Sequence, residues 1–165
     1  MFLIFGVLLV VSPGCGFDEP DFPNESEKKY IPVVISREQL ESSFTVAEPK
    51  ALINPGKIYH YGQYIFVTEM YSGIHIIDNA DPSNPMPIKF LSILGCVDLA
   101  VKSDVLYADN AVDLLSISIA DMNDIKLLNR VRDAFPEVLP PDHTSVPTEF
   151  SKANRPANSI IISWN

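Results

Sequence analysis

The sequence predicts an all-β protein: two four-stranded antiparallel, propeller-like blades of about 40 residues, a partial third, and a short helix before the first blade. Three observations carry this expectation. From Gly56 onward the chain becomes a series of short runs rich in Tyr, Ile, Val and Phe, bounded by turn residues, as half-buried strands require. No amphipathic helical pattern separates those runs, so neighbours pair antiparallel rather than through crossovers. The runs also recur: Tyr64-Ile65-Phe66-Val67 returns as Val105-Leu106-Tyr107-Ala108, and Gly73–Ile77 returns as Asp113–Ile117. The spacing in both cases is about 40 residues, which with four strands per unit is the signature of a propeller blade. Two units are too few to close a ring.

The elements follow in chain order. Ile31–Ile35 reads as one strand. Ser36 followed by Gln39 is a capping box, so Arg37–Ser43 reads as a short helix. Pro49, Asn54, Pro55 and Gly56 punctuate the approach to the repeats. The first unit holds Lys57–Tyr61, Tyr64–Thr68, Gly73–Asp78 and Ile88–Leu94. The second holds Val97–Val101, Val105–Ala108, Asp113–Ile119 and Lys126–Val131. The tail is Pro-rich until Ile160–Trp164, which reads as the opening strand of a further unit. The expected divisions are 1–14 as a signal peptide, 15–55 as tether, strand and helix, 56–137 as two repeats, and 138–165 as a loop and final strand.

Composition narrows the function. The chain has 165 residues, a formal net charge of −9 and 14 Pro against 7 Gly. An acidic chain lacks the basic excess that releases phosphate counterions, which argues against a nucleic-acid partner. Two cysteines cannot form a disulfide framework. Residues 16–50 hold eight acids and four bases, so much of the acidity reads as tether and the rest as solvated strand ends.

Met1–Val11 is an uncharged apolar run, long enough for a signal core and too short for a span, which needs roughly 20 residues. Ser12-Pro13-Gly14-Cys15 then resembles a bacterial lipobox, which implies lipidation at Cys15. The acidic stretch Gly16–Asp21 resembles the surface-export signal of Bacteroidetes lipoproteins. An ordinary secretory signal with an incidental Cys15 is the alternative.

Tyr64-Ile65-Phe66-Val67, then Gly73, Ile74, His75, Ile76, Ile77 and Asp78, then Asp81, Pro82, Ser83, Asn84 and Pro85 together resemble the LVIVD repeat. The second unit is degenerate, with Asp113 at the glycine position and Asp121-Met122 for Asp-Pro. The stretch 30–140 resembles repeat-bearing Bacteroidetes lipoproteins that are longer and carry more repeats. The resemblance implies a lipid anchor at the outer membrane, facing the periplasm or the surface. With no catalytic constellation in the sequence, the main functional expectation is a binding or scaffolding role toward a protein or glycan ligand. An incomplete propeller also leaves an open sheet edge through which copies can associate.

No catalytic constellation is expected, and neither a metal nor a cofactor. His60, His75 and His143 lie too far apart for a compact metal motif. Asp78, Asn79, Asp81 and Asn84 read as Asx turns in preference to a calcium loop. Asp98, Asp104, Asp109 and Asp113 read as strand-end caps, and Cys96 as a buried thiol. Tyr59, Tyr61, Tyr64, Phe66 and Tyr71 read as packing, with a sugar- or peptide-binding patch as the rival. The functional alternatives are a glycan- or peptide-acting hydrolase or lyase on a propeller face, which would need Asp109, Asp113 or His75 brought into one cleft, and a non-functional fragment of a longer repeat protein.

Overall fold

The computed structural model describes residues 30–165. The signal segment, Cys15 and the acidic cluster lie outside the described residues. The fold is mostly β, its strands pair antiparallel, and its sheets do not close into a barrel or propeller.

The eight runs form two antiparallel meanders. The first comprises β3 (Pro55–Tyr61), β4 (Tyr64–Glu69), β5 (Gly73–Asp78) and β6 (Met86–Ser92). A short strand β2 (Thr45–Ala47) pairs with β6 and makes this sheet five-stranded. The second meander comprises β7 (Leu99–Lys102), β8 (Val105–Asn110), β9 (Asp113–Ser118) and β10 (Lys126–Val131). A separate two-stranded sheet pairs β1 (Pro32–Ser36) with β11 (Ser159–Trp164).

The structure corrects two expectations. The run Ile160–Trp164 does not open a third meander. It is captured by β1, where it lays Ile160 and Ile162 over Leu40, Ala111 and Val112 in a small second core. The helix α1 is Arg37–Glu41, and Ser42 and Ser43 lie beyond its end. Its capping box is intact, with Ser36 Oγ accepting from Gln39 N at 3.1 Å and Gln39 Oε1 accepting from Ser36 N at 2.9 Å. The Ser42 and Ser43 hydroxyls donate back to main-chain carbonyls and end it.

The two meanders share a hydrogen-bond skeleton offset by one repeat. Asn79 N donates to Gln63 O at 2.8 Å, and Ile119 N to Asp104 O at 2.9 Å. Asp81 Oδ1 accepts from Ser83 N, and Asp121 Oδ1 from Asn123 N. Thr68 Oγ1 accepts from Lys57 N, and Asp109 Oδ1 from Asp98 N. Left-handed backbone recurs as well, at Gly62 and Ser103 in one turn and at Tyr71 and Ala111 in the next.

The main core lies between the two sheets. Phe66, Ile74, Ile76, Leu91 and Ile93 of the first pack on Leu99, Val101, Leu106, Leu115 and Ile117 of the second. Burying thirteen such side chains supplies the dominant stabilising term, at roughly 25 cal/mol per Å² of apolar surface. Tyr59 and Tyr61 seal one side, their hydroxyls bonded to Val101 O at 3.2 Å and Asp104 Oδ1 at 3.1 Å. Among the described residues no helix is long and apolar enough to cross a membrane.

Candidate functional site

Strand alternation decides which face of each sheet meets the other. Tyr59, Phe66 and Ile74 lie on the face of the first sheet that packs on the second. Their equivalents one repeat further along the chain are Ala100, Tyr107 and Leu114. Those three line a groove of about 490 Å³ on the far face of the second sheet, together with Lys57, Asp109 and Phe135. Phe66 is buried under the second sheet, whereas no sheet among the described residues covers its equivalent Tyr107, which is left 36% exposed beside small Ala100. Phe135, 41% exposed, is brought to the rim by its N–H, which donates to Val112 O at 2.9 Å.

Charge sits at one end of this groove. Lys57 Nζ meets Asp98 Oδ1 at 2.5 Å. The hydrogen bond from Lys57 holds the Asp98 carboxyl below its ordinary range, against the opposing effect of partial burial. Burial pushes Asp109 the other way, up, although its Oδ1 accepts from Val97 N and Asp98 N. Cys96 is free and fully buried, and burial followed by the field of Asp109 raises its thiol far above the usual value. A thiol kept protonated in this way is a packing group and not a nucleophile. The arrangement suits binding: an apolar wall, one aromatic face and a charged rim.

The other acidic and histidine positions go elsewhere. His75 is buried, with Nε2 3.0 Å from Glu69 Oε2 and its ring 4.8 Å from that of Phe90. Glu69 also accepts from Ile53 N and Asn54 N. Burial alone would raise the Glu69 carboxyl, but those backbone bonds and His75 bring it below its usual value. Asp113 is not a solvated strand-end cap. It is fully buried, and its carboxylate accepts from Arg37 Nη1 at 2.6 Å and Arg130 Nη1 at 2.8 Å. Burial opposes its ionisation, and the bonds from Arg37, Asp133 N and Arg130 outweigh it, so its pKa is lowered. Asp109, Asp113 and His75 therefore occupy three separate hydrogen-bond sets, and the cleft a hydrolase or lyase would need does not gather them.

The repeat-motif residues have structural work. Gly73 has φ of 148°, and a Cβ there would lie 1.9 Å from Leu91 O. Ile74 and Ile76 are fully buried, and Ile77 is half-buried. Asp78 Oδ1 accepts from Ala80 N at 2.9 Å, and Asp81 Oδ1 from Ser83 N at 3.0 Å. Pro82 and Asn84 complete that exposed turn, where Asn84 N donates to Asp81 O. Among the described residues no group of three or more acidic, His or Cys side chains is placed to hold a metal. Tyr64 and Phe66 pack in the core rather than forming a sugar platform, while His60 and His143 are exposed and apart from the groove lining.

Sequence reading misses Glu69, Arg37 and Arg130. The available signal is their type, a carboxylate closing an apolar strand and two of the chain's four arginines, although neither arginine stands near Asp113 in the sequence. No family model matches the chain, and neither a curated protein nor a solved structure matches it.

Proposed function

We propose that the chain is a bacterial cell-envelope lipoprotein, anchored at the outer membrane through acylated Cys15. Its two LVIVD-type, propeller-like repeats serve binding or scaffolding rather than catalysis. The observation that carries the binding or scaffolding part of this reading is the repeated interface, and the anchor rests on the sequence around Cys15. The first repeat uses the Tyr59–Phe66–Ile74 face to pack on its neighbour. The second repeat presents the equivalent Ala100–Tyr107–Leu114 face as an open groove. A face already used once within the chain for sheet-on-sheet packing fits a further sheet of the same kind, supplied by a second copy of the chain. Such head-to-tail contacts are heterologous and build rings or arrays. The acidic tether holds the domain off the membrane, and stable anchoring takes more than one acyl chain.

The anchor is tested by labelling cells with radioactive fatty acid. The full chain incorporates label and the Cys15→Ala variant does not; equal labelling of the variant contradicts the anchor. The interface is tested by the mass of the purified full chain in detergent. Concentration-dependent association that Tyr107→Glu abolishes supports it, and a strictly monomeric wild type contradicts it.

A further inference from the structure

Of the chain's twelve Lys and Arg, four line a single pocket, in a protein whose net charge is −9. The pocket has a volume of about 460 Å³ and lies where the C-terminal segment meets α1 and the loop after β10. Arg37, Arg132, Lys152 and Arg155 line it, with Asp133 as the only lining carboxylate among the described residues. Like charges gathered at this density repel one another, and three of the cations are partly compensated by carboxylates outside the lining. Arg132 meets Glu41 at 2.9 Å, Arg155 meets Glu137 at 2.5 Å, and Arg37 donates to buried Asp113.

Two features are left over after this pairing. Lys152 is exposed and has no ion pair among the described residues. Arg155 is the more telling. Its side chain is only 4% exposed, yet Nε and Nη1 have no hydrogen-bond partner among the described residues. A buried guanidinium carries five N–H donors in a fixed fork, and leaving such donors unmade is costly. The fork matches phosphate geometry.

We propose that this pocket binds a phosphate group, free or carried on a small ester. Arg37 supplies the fixed donors, buried Arg155 contributes its positive charge from the wall, and Lys152 and Arg132 supply mobile positive charge at the mouth. The exposed Asp133 carboxylate, 2.7 Å from Arg37 Nη2, occupies the place of an anion and is displaced when the ligand enters. The pocket's volume admits a phosphorylated sugar as well as phosphate itself. This assignment is independent of the groove on the second sheet and of the anchor.

The test is calorimetric titration of the full chain with inorganic phosphate, and separately with a hexose phosphate. Saturable one-to-one binding is expected, with affinity falling at least tenfold in a Lys152→Glu, Arg132→Glu double variant. Lys102→Glu, an exposed change on β7 away from this lining, is expected to bind within twofold of wild type. The thermal midpoint of each variant without ligand shows that it is folded. Absence of saturable binding by both probes overturns the proposal, and so does an equal loss in the Lys102→Glu control. Binding of the hexose phosphate with none of inorganic phosphate would place the recognition on the sugar and overturn it equally.

Discussion

At the corner where β4 turns into β5, the first repeat buries Glu69 against His75. At the matching corner between β8 and β9, the second repeat buries Asn110 and Asp113 against Arg130 and Arg37. The second corner is one residue shorter, with residues 111–112 in place of 70–72, yet each carries one left-handed residue, Tyr71 or Ala111. The polar contents differ, and so does what they hold. Glu69 ties down the incoming segment at Ile53 and Asn54. Asp113 ties down α1 through Arg37 and the outgoing segment through Asp133 N, at 3.0 Å. A repeat therefore fixes its apolar alternation, and leaves the buried corner free to recruit whichever flanking segment the chain supplies.

The largest expected effect comes from removing the residue on which the first corner depends. Gly73→Ala places a methyl group 1.9 Å from the Leu91 carbonyl oxygen in backbone that L-residues avoid, so a loss on the order of 4 kcal/mol is expected in urea unfolding. Its counterpart position carries Asp113 without positive φ, so Asp113→Gly should cost stability through lost ion pairs rather than relieve any strain.

Breaking the second corner comes next. Asp113→Ala leaves two buried arginine contacts without their anion, for which about 3 kcal/mol is expected. Asp113→Asn sharpens this through pH. The folded-state pKa of Asp113 is depressed, so its ionised form stabilises the fold. That contribution is full above the unfolded value near about 4 and is lost as pH falls through the lower folded value. Stability measured from neutral pH down into acid should therefore fall less steeply in the Asn variant than in wild type. Glu69, Asp98 and Asp142, whose values are also lowered, contribute to the slope that remains.

Glu69→Gln is expected to cost about 1–3 kcal/mol and to act locally. Hydrogen exchange should quicken at Ile53 and Asn54 and remain unchanged at Asp133, which answers to the other corner. The smallest effect is expected at the shared skeleton. Thr68→Val removes the acceptor of Lys57 N, 2.7 Å away, for about 1 kcal/mol in thermal unfolding.

The strands are legible in the sequence because alternation and turn residues are local signals, and all eight runs form strands with nearly the expected ends. The short strand at Thr45–Ala47 is not, because three exposed residues carry no alternation to read. The fate of Ile160–Trp164 is hidden for a different reason. Its partner β1 lies at the opposite end of the described chain, and nothing local distinguishes joining β1 from opening a new sheet. The candidate groove is half legible. The period identifies Tyr107 as the equivalent of Phe66, but only packing shows which face is left open. Asp113 reads as a cap because its partner Arg37 stands 76 residues upstream.

The claim that the second repeat offers its packing face to a further sheet is tested most directly by photocrosslinking. A photoreactive phenylalanine analogue placed at Tyr107 of the full chain in cells should trap a second copy. The same analogue at exposed Leu128, on the edge strand β10, should trap it weakly or not at all. No trapping of a second copy from position 107, or equal trapping from both positions, would contradict the proposed interface.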